Sequence, residues 1–417
     1  MMREMKDSGA QWIGNIPADW SVSKLKYVGE YINGYAFKPE QWGDKGRLII
    51  RIQDLTGSND NPNYFDGIID DKYIVHNGDI LVSWAATLAA FIWNRGESLL
   101  NQHIFKATNK ADIVTYDFFF WLIKVAMEYM NNDNKHGIVM QHVTLDVFDN
   151  FKVALPSLME QSRIASILDT ECTRIDSVIE QTRASVEEYK KLKQAVITQA
   201  VTRGIRPGRK MKNSGVVWLD SIPVEWEMVR GKGLFAESDS RSEDGSEELL
   251  TVSQYTGITP RSQKNVNMFE AETLEGYKIC EVGDIAANTM WLWAGAIGVS
   301  KYRGVISPSY NIYRTKNDDY NAEYLDYLLR AAPLVQHYES LSTGIRASRL
   351  RLYPQQFLGI YFPVPPIDEQ CEIVQYLHEK ADAVDELVAK KERFLMELES
   401  YKKSLIYEYV TGKKEVV

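Results

Sequence analysis

A fifty-residue stretch that has a proline at its start, a glycine at its end and neither residue between them constrains the fold of this chain more than any other feature. It runs from Leu155 to Gly204, and Pro156 lies at its start. Proline near the first turn and glycine just past the last turn are the usual ends of a helix. At about 1.5 Å per residue, the predicted helix spans roughly 65–70 Å, which is longer than a small domain is wide. Its heptad seam, which predicts packing along another helix, recurs in steps of four and three residues: Leu168, Cys172, Ile175, Ile179, Thr182, Val186 and Tyr189.

The same stretch occurs a second time, at residues 364–413. Raising each residue number by 209 aligns the two copies without a gap, which indicates internal duplication. The two helices are therefore predicted to pair with each other as an antiparallel coiled coil. The aligned positions include two polar pairs and two polar interruptions of the seam: Glu160-Gln161 with Glu369-Gln370, Val201-Thr202 with Val410-Thr411, Thr182 with Lys391, and Lys193 with Lys402.

The duplication also includes an opening motif, which we define as residues 5–20 and 211–226. Each copy has a Ser-Gly pair, a tryptophan, an Ile-Pro pair and a second tryptophan, and the shift between copies is 206 residues. Two tryptophans around a proline turn predict a segment pinned onto a core. The chain is therefore two copies of one plan, in which an opening motif and a variable domain precede a long helix. The predicted segments are 1–154 (first domain), 155–206 (first long helix), 207–363 (second domain) and 364–417 (second long helix).

Each variable domain has the pattern of a mixed α/β domain, so the fold class is α+β with two such domains in tandem. Short β-branched runs after turn signals predict strands, and longer apolar runs predict helices. Residues Gly78-Asp79-Ile80 of the first domain match Gly283-Asp284-Ile285 of the second. The predicted strands are 47–52, 79–84, 148–155, 249–253, 282–285 and 357–364, and the predicted helices are 116–130 and 322–329.

Composition excludes several classes of protein. The 417 residues include 45% hydrophobic and 25% charged side chains, as in ordinary globular proteins, and no run approaches a membrane span. The polar N-terminus does not resemble a signal peptide, and the three cysteines form no disulfide or zinc spacing, so we expect a cytoplasmic protein. The formal net charge is −9, and no segment is strongly basic, so any DNA-binding surface must be a local patch.

Motifs for catalysis are weak. Asn61-Pro62-Asn63-Tyr64 resembles a base-holding motif of adenine methyltransferases, but its third residue differs and it lies in a polar loop, so we interpret it as a turn. Gly231-Lys232-Gly233 lacks the spacing of a phosphate-binding loop. The sequence offers no nucleophile–base pair, metal site or nucleotide loop. We therefore expect neither catalysis nor a bound cofactor in this chain.

Recognition chemistry remains, because arginine, glutamine, histidine and serine lie at matching strand ends and loops of the two domains. Such side chains can bind phosphate or hydrogen-bond base edges, although polar groups satisfied within surface loops are a common alternative. Trp84, Trp291 and Trp293 follow the matching strands and are predicted to be core residues. The candidate DNA-binding residues are Arg51, Gln53, Asp54, Gln102, His103, Lys135, His136, Gln141 and His142 in the first domain, and Gln254, Tyr255, Ser309, Tyr310, Arg346, Ser348, Arg349 and Arg351 in the second.

The chain as a whole resembles the specificity (S) subunit of Type I restriction–modification systems. The paired opening motifs, the proline-led Glu-Gln helices and the Val-Thr helix endings carry the resemblance. The sequence departs from the pattern where Arg203 stands opposite Gly412, and where Ser157-Leu158-Met159 follow Pro156. Neither departure removes the paired motifs.

The resemblance implies a function. In such subunits each variable domain is a target recognition domain for one half of a bipartite, asymmetric DNA sequence, and the helix pair sets the spacer between the halves. Two methyltransferase (M) subunits bind the helices and supply S-adenosylmethionine chemistry. Two restriction (R) subunits add ATP- and Mg²⁺-dependent cleavage. The chain itself is then expected to have no catalytic activity.

Two other functions are compatible with parts of the sequence. A fused or stand-alone DNA methyltransferase recognition protein would need catalytic motifs that the sequence lacks. A coiled-coil scaffold without DNA binding would use the long helices alone. Methylation by the isolated chain would identify the first alternative, and the absence of sequence-selective DNA binding would identify the second.

Overall fold

The computed structural model describes residues 3–85, 88–133, 145–264, 273–344 and 350–416. The chain divides into two compact units, which are Met1–Thr182 with Phe394–Val417 (unit 1) and Arg183–Arg393 (unit 2). Each unit holds one variable domain and parts of both long helices. The division falls within both long helices, whereas the predicted boundaries place each long helix in a segment of its own. The division does not test those boundaries, and they stay a prediction. No helix within the described ranges is long and apolar enough to span a membrane.

The first repeat folds into twelve strands and five helices within its described residues. They are β1 (Met5–Asp7), β2 (Asn15–Pro17), β3 (Ser21–Lys24), α1 (Leu25–Val28), β4 (Gly29–Asn33), β5 (Arg47–Ile50), α2 (Ile52–Thr56), β6 (Tyr64–Phe65), β7 (Ile74–Val75), β8 (Ile80–Ser83), β9 (Ala89–Ile92), β10 (Ser98–Leu100), β11 (Ile104–Asn109), α3 (Tyr116–Asp133), α4 (Leu145–Asn150), β12 (Lys152–Leu155) and α5 (Leu158–Arg203). The long helix α5 begins in unit 1 and ends in unit 2.

The second repeat has the same order of main elements. Its described elements are β13 (Met211–Val216), β14 (Leu219–Pro223), β15 (Glu227–Arg230), α6 (Gly231–Leu234), β16 (Phe235–Ser238), β17 (Leu250–Ser253), β18 (Gly257–Pro260), β19 (Lys278–Cys280), β20 (Ile285–Ala287), β21 (Ile297–Val299), β22 (Gly304–Ile306), β23 (Asn311–Thr315), α7 (Ala322–Leu329), α8 (Ala332–Leu341), α9 (Pro354–Phe357), β24 (Tyr361–Val364) and α10 (Ile367–Val410). The long helix α10 begins in unit 2 and ends in unit 1.

One antiparallel sheet recurs in both units. Its strand order is β4-β11-β8-β9 in unit 1 and β16-β23-β20-β21 in unit 2. Beside it, unit 1 has a second sheet of order β6-β5-β10-β7, in which β5 and β10 run parallel. Unit 2 divides the corresponding strands into the pairs β17-β18 and β19-β22. The predicted α+β class is confirmed.

The core of each unit is centred on one domain helix and completed by the end of a long helix. Phe118 and Leu122 of α3 are fully buried in unit 1, as are Tyr324 and Leu328 of α7 in unit 2. The end of α10 joins the first core, and the end of α5 joins the second. Each buried side chain of this size contributes about 1.5–3 kcal/mol of transfer free energy. The helix ends therefore stabilise the domains.

A buried glutamine fixes the start of each long helix. In unit 1, the amide of Gln161 donates to the carbonyls of Pro156 and Ile113 at 3.0 Å each and accepts the Thr115 N–H at 2.8 Å. Gln370 does the same in unit 2, donating to Pro365 (2.9 Å) and Asp319 (2.8 Å) and accepting the Asn321 N–H (2.8 Å). Asn321 caps α7. The glutamine therefore ties the long helix to the start of the domain helix.

The glutamate before each glutamine binds the opening motif. Glu160 accepts the indole N–H of Trp20 at 3.1 Å and pairs with Arg3 at 2.6 Å. In unit 2, Glu369 accepts the indole N–H of Trp226 at 3.0 Å and pairs with Arg209. A carboxylate at a helix N-terminus is also favoured by the helix dipole. The tryptophans thus have the structural role that the sequence predicts.

Glycine ends both long helices. Gly204 has φ of +72° and Gly412 has φ of +71°, in the left-handed region that side chains rarely adopt. A Cβ on Gly412 would overlap Pro17, and a Cβ on Gly204 would lie 2.8 Å from a Glu369 oxygen. Gly204 is therefore the equivalent of Gly412, and Arg203 is one additional residue before it. This explains the departure noted in the sequence.

The long helices pair through their predicted seam and through two repeated ion pairs. Leu168, Ile175 and Val186 are buried, as the heptad pattern predicts. Lys193 lies 2.5 Å from Asp385 in unit 2, and the same contact, shifted by 209 residues, joins Lys402 to Asp176 at 2.5 Å in unit 1.

The direction and register of the helix pair follow from individual contacts. In unit 2, Lys190 pairs with Glu392 at 3.6 Å, and Lys193 pairs with Asp385, so the helices run antiparallel as predicted. At the interruption Thr182, the hydroxyl donates to the Val178 carbonyl of the same helix.

Several predicted strands are shorter than expected because polar side chains start helices or turns inside them. The strand predicted at 47–52 ends at Ile50, where Asp54 accepts the Arg51 N–H at 2.8 Å and caps α2. The run predicted at 148–155 holds the end of α4 before β12, and 357–364 holds the end of α9 before β24. At 282–285 a turn precedes β20, because Asp284 accepts the Glu281 N–H at 2.9 Å.

The Gln370→Ala change should destabilise the protein by about 1–3 kcal/mol, because it leaves buried or partly buried backbone groups of Pro365, Asp319 and Asn321 without their hydrogen bonds to this side chain. Urea denaturation would measure the loss. The matched control is Gln375→Ala on the same helix, where the exposed amide bonds only Glu379 at 3.4 Å. That change should stay within about 0.5 kcal/mol. Equal losses from the two changes would contradict the role assigned to Gln370.

Candidate nucleic-acid interface

The described candidate residues of the first domain come together at one end of its strands. Ile50 and Leu100 are partners in the parallel pair β5–β10, so Arg51 and Asn101 leave the sheet side by side. Ile104, which begins β11, is opposite Ser83, which ends β8. The loop 101–103 follows β10 and precedes β11, and both of these strand termini lie at the same end of the domain. Both the turn after β5 and the loop before β11 contribute to one surface.

Gln102 and His103 form a polar pair on this surface. Their side-chain nitrogens lie 3.3 Å apart, and His103 is exposed. Trp84 contacts the His103 ring edge-on, with ring centroids 5.5 Å apart. An exposed amide and imidazole can hydrogen-bond base edges, and the tryptophan limits the orientations of the imidazole. DNA binding by this pair stays a prediction.

The residues around α2 divide into exposed and structural groups. Gln53 is exposed, and the Arg51 guanidinium lies over Trp42, 5.2 Å from the ring centroid. Asp54 is buried, and its carboxylate accepts the Asn59 amide at 2.8 Å as well as the Arg51 N–H. Contact between Asp54 and a base would require breaking these bonds, so the geometry favours a capping role for this residue.

Two connections of the second domain meet at the equivalent end of its sheet. Ala287, the last residue of β20, is opposite Ile297 and Asn311. The loop 288–296 therefore lies beside the loop 307–310. Hydrogen bonds join them, from the Asn288 amide to the Tyr310 hydroxyl at 2.9 Å and from the Thr289 hydroxyl to the Ser309 carbonyl at 2.7 Å.

The predicted residues Ser309 and Tyr310 differ in how accessible they are. Ser309 is exposed, whereas Tyr310 is half-buried and its hydroxyl already accepts the Asn288 amide. Burial also raises the pKa of Tyr310, so the phenol stays protonated near neutral pH. Ser309 is therefore the more available of the two for a DNA contact.

Aromatic side chains are exposed on the same surface. Tyr255 is 81% exposed in the turn between β17 and β18, and Trp291 is 50% exposed in the loop 288–296. Trp291 stacks on Trp293, with ring centroids 5.6 Å apart and an interplanar angle of 25°. The prediction that Trp291 is a core residue is wrong, because the hairpin loop places it outside the sheet. Exposed indole and phenol rings can stack on bases.

The arginine-rich segment 342–351 is described only at its two ends, 342–344 and 350–351. Thr343 and Arg351 exchange two backbone hydrogen bonds of 3.0 Å, and the Arg351 side chain is exposed. The predicted residues Arg346, Ser348 and Arg349 lie outside the described residues. So do Lys135, His136, Gln141 and His142 of the first domain. DNA contacts by these seven residues stay predictions.

Metal-ligating types of side chain and two buried cysteines occur within the described part of the chain. No cluster of three or more histidine, cysteine or acidic side chains there could hold a metal ion. Cys172 and Cys280 are buried, and burial raises the pKa of the Cys280 thiol to about 12. A thiol with this pKa is a poor nucleophile.

Comparison with known proteins gives a family match in the first repeat. Residues 17–188 match the family model of the Type I restriction modification DNA specificity domain. The MjaVIII specificity subunit of a Type I restriction enzyme from Methanocaldococcus jannaschii is 24% identical over 426 residues, which cover 96% of this chain and 94% of that protein. The EcoBI specificity subunit from Escherichia coli is 27% identical over 230 residues, 54% of this chain and 48% of that protein.

Solved structures share the fold. A chain from work on complex assembly and conformational transition of the type I R-M system superposes with a TM-score of 0.65 at 15% identity, and covers 96% of this chain and 99% of its own length. The HsdS subunit from Thermoanaerobacter tengcongensis superposes with a TM-score of 0.50 at 17% identity, covering 96% and 98%. The tandem architecture is therefore shared along nearly the whole chain.

Replacing Trp291 or Tyr255 with alanine should weaken binding to the DNA sequence that the unchanged protein selects. Stacking of one base on an aromatic ring contributes about 1–3 kcal/mol. Anisotropy titrations with labelled duplexes would measure the loss. Tyr361→Ala is the control, since this exposed tyrosine lies on β24, which pairs with β15 and is not part of the four-stranded sheet whose loops form the candidate interface. Equal affinities for all three variants and the unchanged protein would exclude these rings from the interface.

Proposed function

We propose that this chain, a specificity subunit of a Type I restriction–modification system, recognises its DNA target as two separate half-sites. The match to the DNA specificity domain and the similarity to specificity subunits over nearly the whole length confirm the resemblance found in the sequence. In this proposal each variable domain recognises one half-site through the strand ends described above. Phosphate contacts would position the protein, and base contacts would select the sequence.

One observation carries the proposal. The two domains have the same sheet order but present different side chains at equivalent strand ends. The loop before β11 presents Gln102 and His103, whereas the loop before β23 presents Ser309 and Tyr310. Different donors and acceptors at the same place on one scaffold select different base pairs. The two half-sites are therefore expected to differ in sequence, which makes the whole target asymmetric.

Catalysis is proposed to lie in partner subunits. The relatives are specificity subunits, which indicates that this chain is a non-catalytic component that works with DNA, methyltransferase and restriction partners. We further propose two M subunits on the long helices and two R subunits, with S-adenosylmethionine, ATP and Mg²⁺ bound by those partners in the cytoplasm. The net charge of −9 supports a division in which partners neutralise much of the phosphate charge.

Methylation mapping tests the proposed function. A host that expresses this chain with its methyltransferase subunit should carry adenine methylation at a bipartite, asymmetric motif with a fixed spacer. Host DNA without the chain is the control and should lack the motif. Methylation by the isolated chain would instead identify an enzyme, and no motif in any combination of subunits would contradict DNA recognition.

A paired heptad deletion tests whether the helices set the spacer. Removing 190–196 from α5 together with 384–390 from α10 takes one heptad from each helix and removes both Lys193 and Asp385. This shortens the pair by about 10.5 Å, or roughly 3 base pairs of DNA. The methylation map should then show a shorter spacer between unchanged half-sites.

The control for the deletion is Lys193→Ala with Asp385→Ala, which removes the ion pair and keeps the helix length. Its spacer should equal that of the unchanged protein. An unaltered spacer after the heptad deletion, or altered bases within the half-sites, would contradict spacing by the helices.

A further inference from the structure

The exposed turn of the second domain is held by a side chain from the domain helix. We define this turn as residues 253–257, between β17 and β18. The guanidinium of Arg330, just past the end of α7, donates from Nη2 to the Tyr255 carbonyl at 2.7 Å and to the Gln254 carbonyl at 3.3 Å. Both carbonyls belong to candidate DNA-binding residues, so Arg330 contacts the turn from behind its exposed side chains.

Asp326 orients Arg330. It lies one helical turn earlier, with its Oδ2 3.6 Å from Nη1 of Arg330. Its other oxygen accepts the Val299 N–H at 2.9 Å, at the end of β21. Burial raises the pKa of the Asp326 carboxyl, whereas the Val299 N–H and Arg330 lower it. The pair therefore connects three parts of unit 2, which are α7, β21 and the turn.

Two glycines allow the backbone to approach this pair closely. Gly257 ends the turn with φ of +63°, and a Cβ there would lie 3.3 Å from Nη1 of Arg330. A Cβ on Gly298 would lie 2.8 Å from Oδ1 of Asp326, which is closer than real Cβ contacts. A side chain at position 298 would overlap the Asp326 carboxylate, and one at position 257 would crowd Arg330 and strain the backbone. The backbone of both hairpins, β17–β18 and β20–β21, therefore lies close to the Asp326–Arg330 pair.

The turn also borders a cavity. A space of about 370 Å³ in unit 2 is lined by Gln254, Tyr255, Gly295, Asp326 and Arg330, among others. Packing on this side of the turn is consequently incomplete. Because side chains at a recognition site must keep their geometry to within about 0.5 Å, the hydrogen bonds from Arg330 are well placed to supply the missing restraint.

The domain helix of the first domain, which is described along its length, has no Asp–Arg pair at the equivalent positions. The N–H groups of Thr115 and Asn321, which bind the two glutamines, are equivalent, so the domain helices align with a shift of 206 residues. This shift places Phe120 opposite Asp326 and Lys124 opposite Arg330. The Lys124 ammonium lies over the Phe120 ring, 5.5 Å from its centroid. The arrangement is therefore a property of the second domain alone, and its effects should be confined to one half-site.

We propose that Arg330, oriented by Asp326, is a positioning residue that fixes Gln254 and Tyr255 for recognition of the second half-site. This inference rests on the proposed function, since it needs each domain to recognise its own half-site. Arg330 acts through the turn and need not contact DNA. Its planar guanidinium can donate to two carbonyls while facing a carboxylate, a geometry that the single ammonium of lysine does not reproduce.

The first experiment measures discrimination at each half-site separately. The complete complex with its methyltransferase methylates a duplex library in which both halves are randomised, and sequencing gives the preference at every position. Arg330→Ala should lower discrimination in the second half about tenfold, within the range that one bidentate base contact supplies, and leave the first half unchanged. Arg330→Lys should restore part of the loss.

The matched control is Lys390→Ala. Lys390 forms an i,i+4 ion pair with Glu386 at 2.6 Å, as Arg330 does with Asp326, but both side chains are exposed on α10 of the same unit. This change should leave both halves unchanged. Such a result would show that loss of a helical ion pair does not by itself change specificity.

Two further measurements separate positioning from stability. Hydrogen exchange should accelerate at the amides of the turn 253–257 in Arg330→Ala, with β20 and β23 unchanged. If Arg330 acts through Tyr255, the effects of Arg330→Ala and Tyr255→Ala on second-half discrimination should not add in the double variant. Additive effects, or uniform acceleration of exchange in unit 2, would overturn the proposal.

The half-site outcomes decide the inference. Full second-half discrimination in folded Arg330→Ala, or equal losses in both halves, would overturn it. If Arg330→Ala does not fold, Asp326→Asn replaces it, because an asparagine still accepts the Val299 N–H but no longer pairs with Arg330. Unchanged discrimination in that variant would also overturn the proposal. Failure of the proposed function differs from failure of this inference, because the unchanged chain would then produce no bipartite motif at all.

Discussion

Glu369 and Gln370 lie side by side in the first turn of α10, and their side chains bind two different parts of the second domain. The glutamate holds Trp226 of the opening motif, and the glutamine holds the backbone that starts α7. Glu160 and Gln161 repeat both contacts in unit 1. Because these groups are buried or partly buried, each unmade bond would leave a polar group desolvated. The orientation of each domain on its long helix depends on this one pair.

The position of the candidate DNA-binding surface depends indirectly on these contacts. The domain helix fixed by the glutamine packs against the four-stranded sheet, and the strands of that sheet end where the polar and aromatic side chains are exposed. Rigid strands position the loops, and the loops carry residues that differ between the domains. The Asp326–Arg330 pair adds a restraint that the first domain lacks. The residues that hold the scaffold and the candidate base-contacting residues are thus different residues within one unit.

The long helices and the duplication could be predicted from the sequence, because a heptad pattern repeated over some fifty residues leaves little ambiguity. The domain helix at 322–329 was also predictable from its apolar run. The residues at which strands end could not be predicted, because capping by residues such as Asp54 depends on a few polar contacts. The exposure of Trp291 was missed because residue type predicts burial only on average. Arg330 was missed because its partners lie about 75 residues away in sequence.

The two lysine–aspartate pairs of the coiled coil have a consequence for how such a chain is built. Lys193 with Asp385 and Lys402 with Asp176 are one contact made twice, with the two partners exchanged between the repeats. Reciprocal contacts of this kind characterise isologous interfaces between identical subunits. One polypeptide therefore contains the contact pattern of a homodimer of half-length chains. Covalent linkage lets the two halves differ, which two identical subunits cannot do.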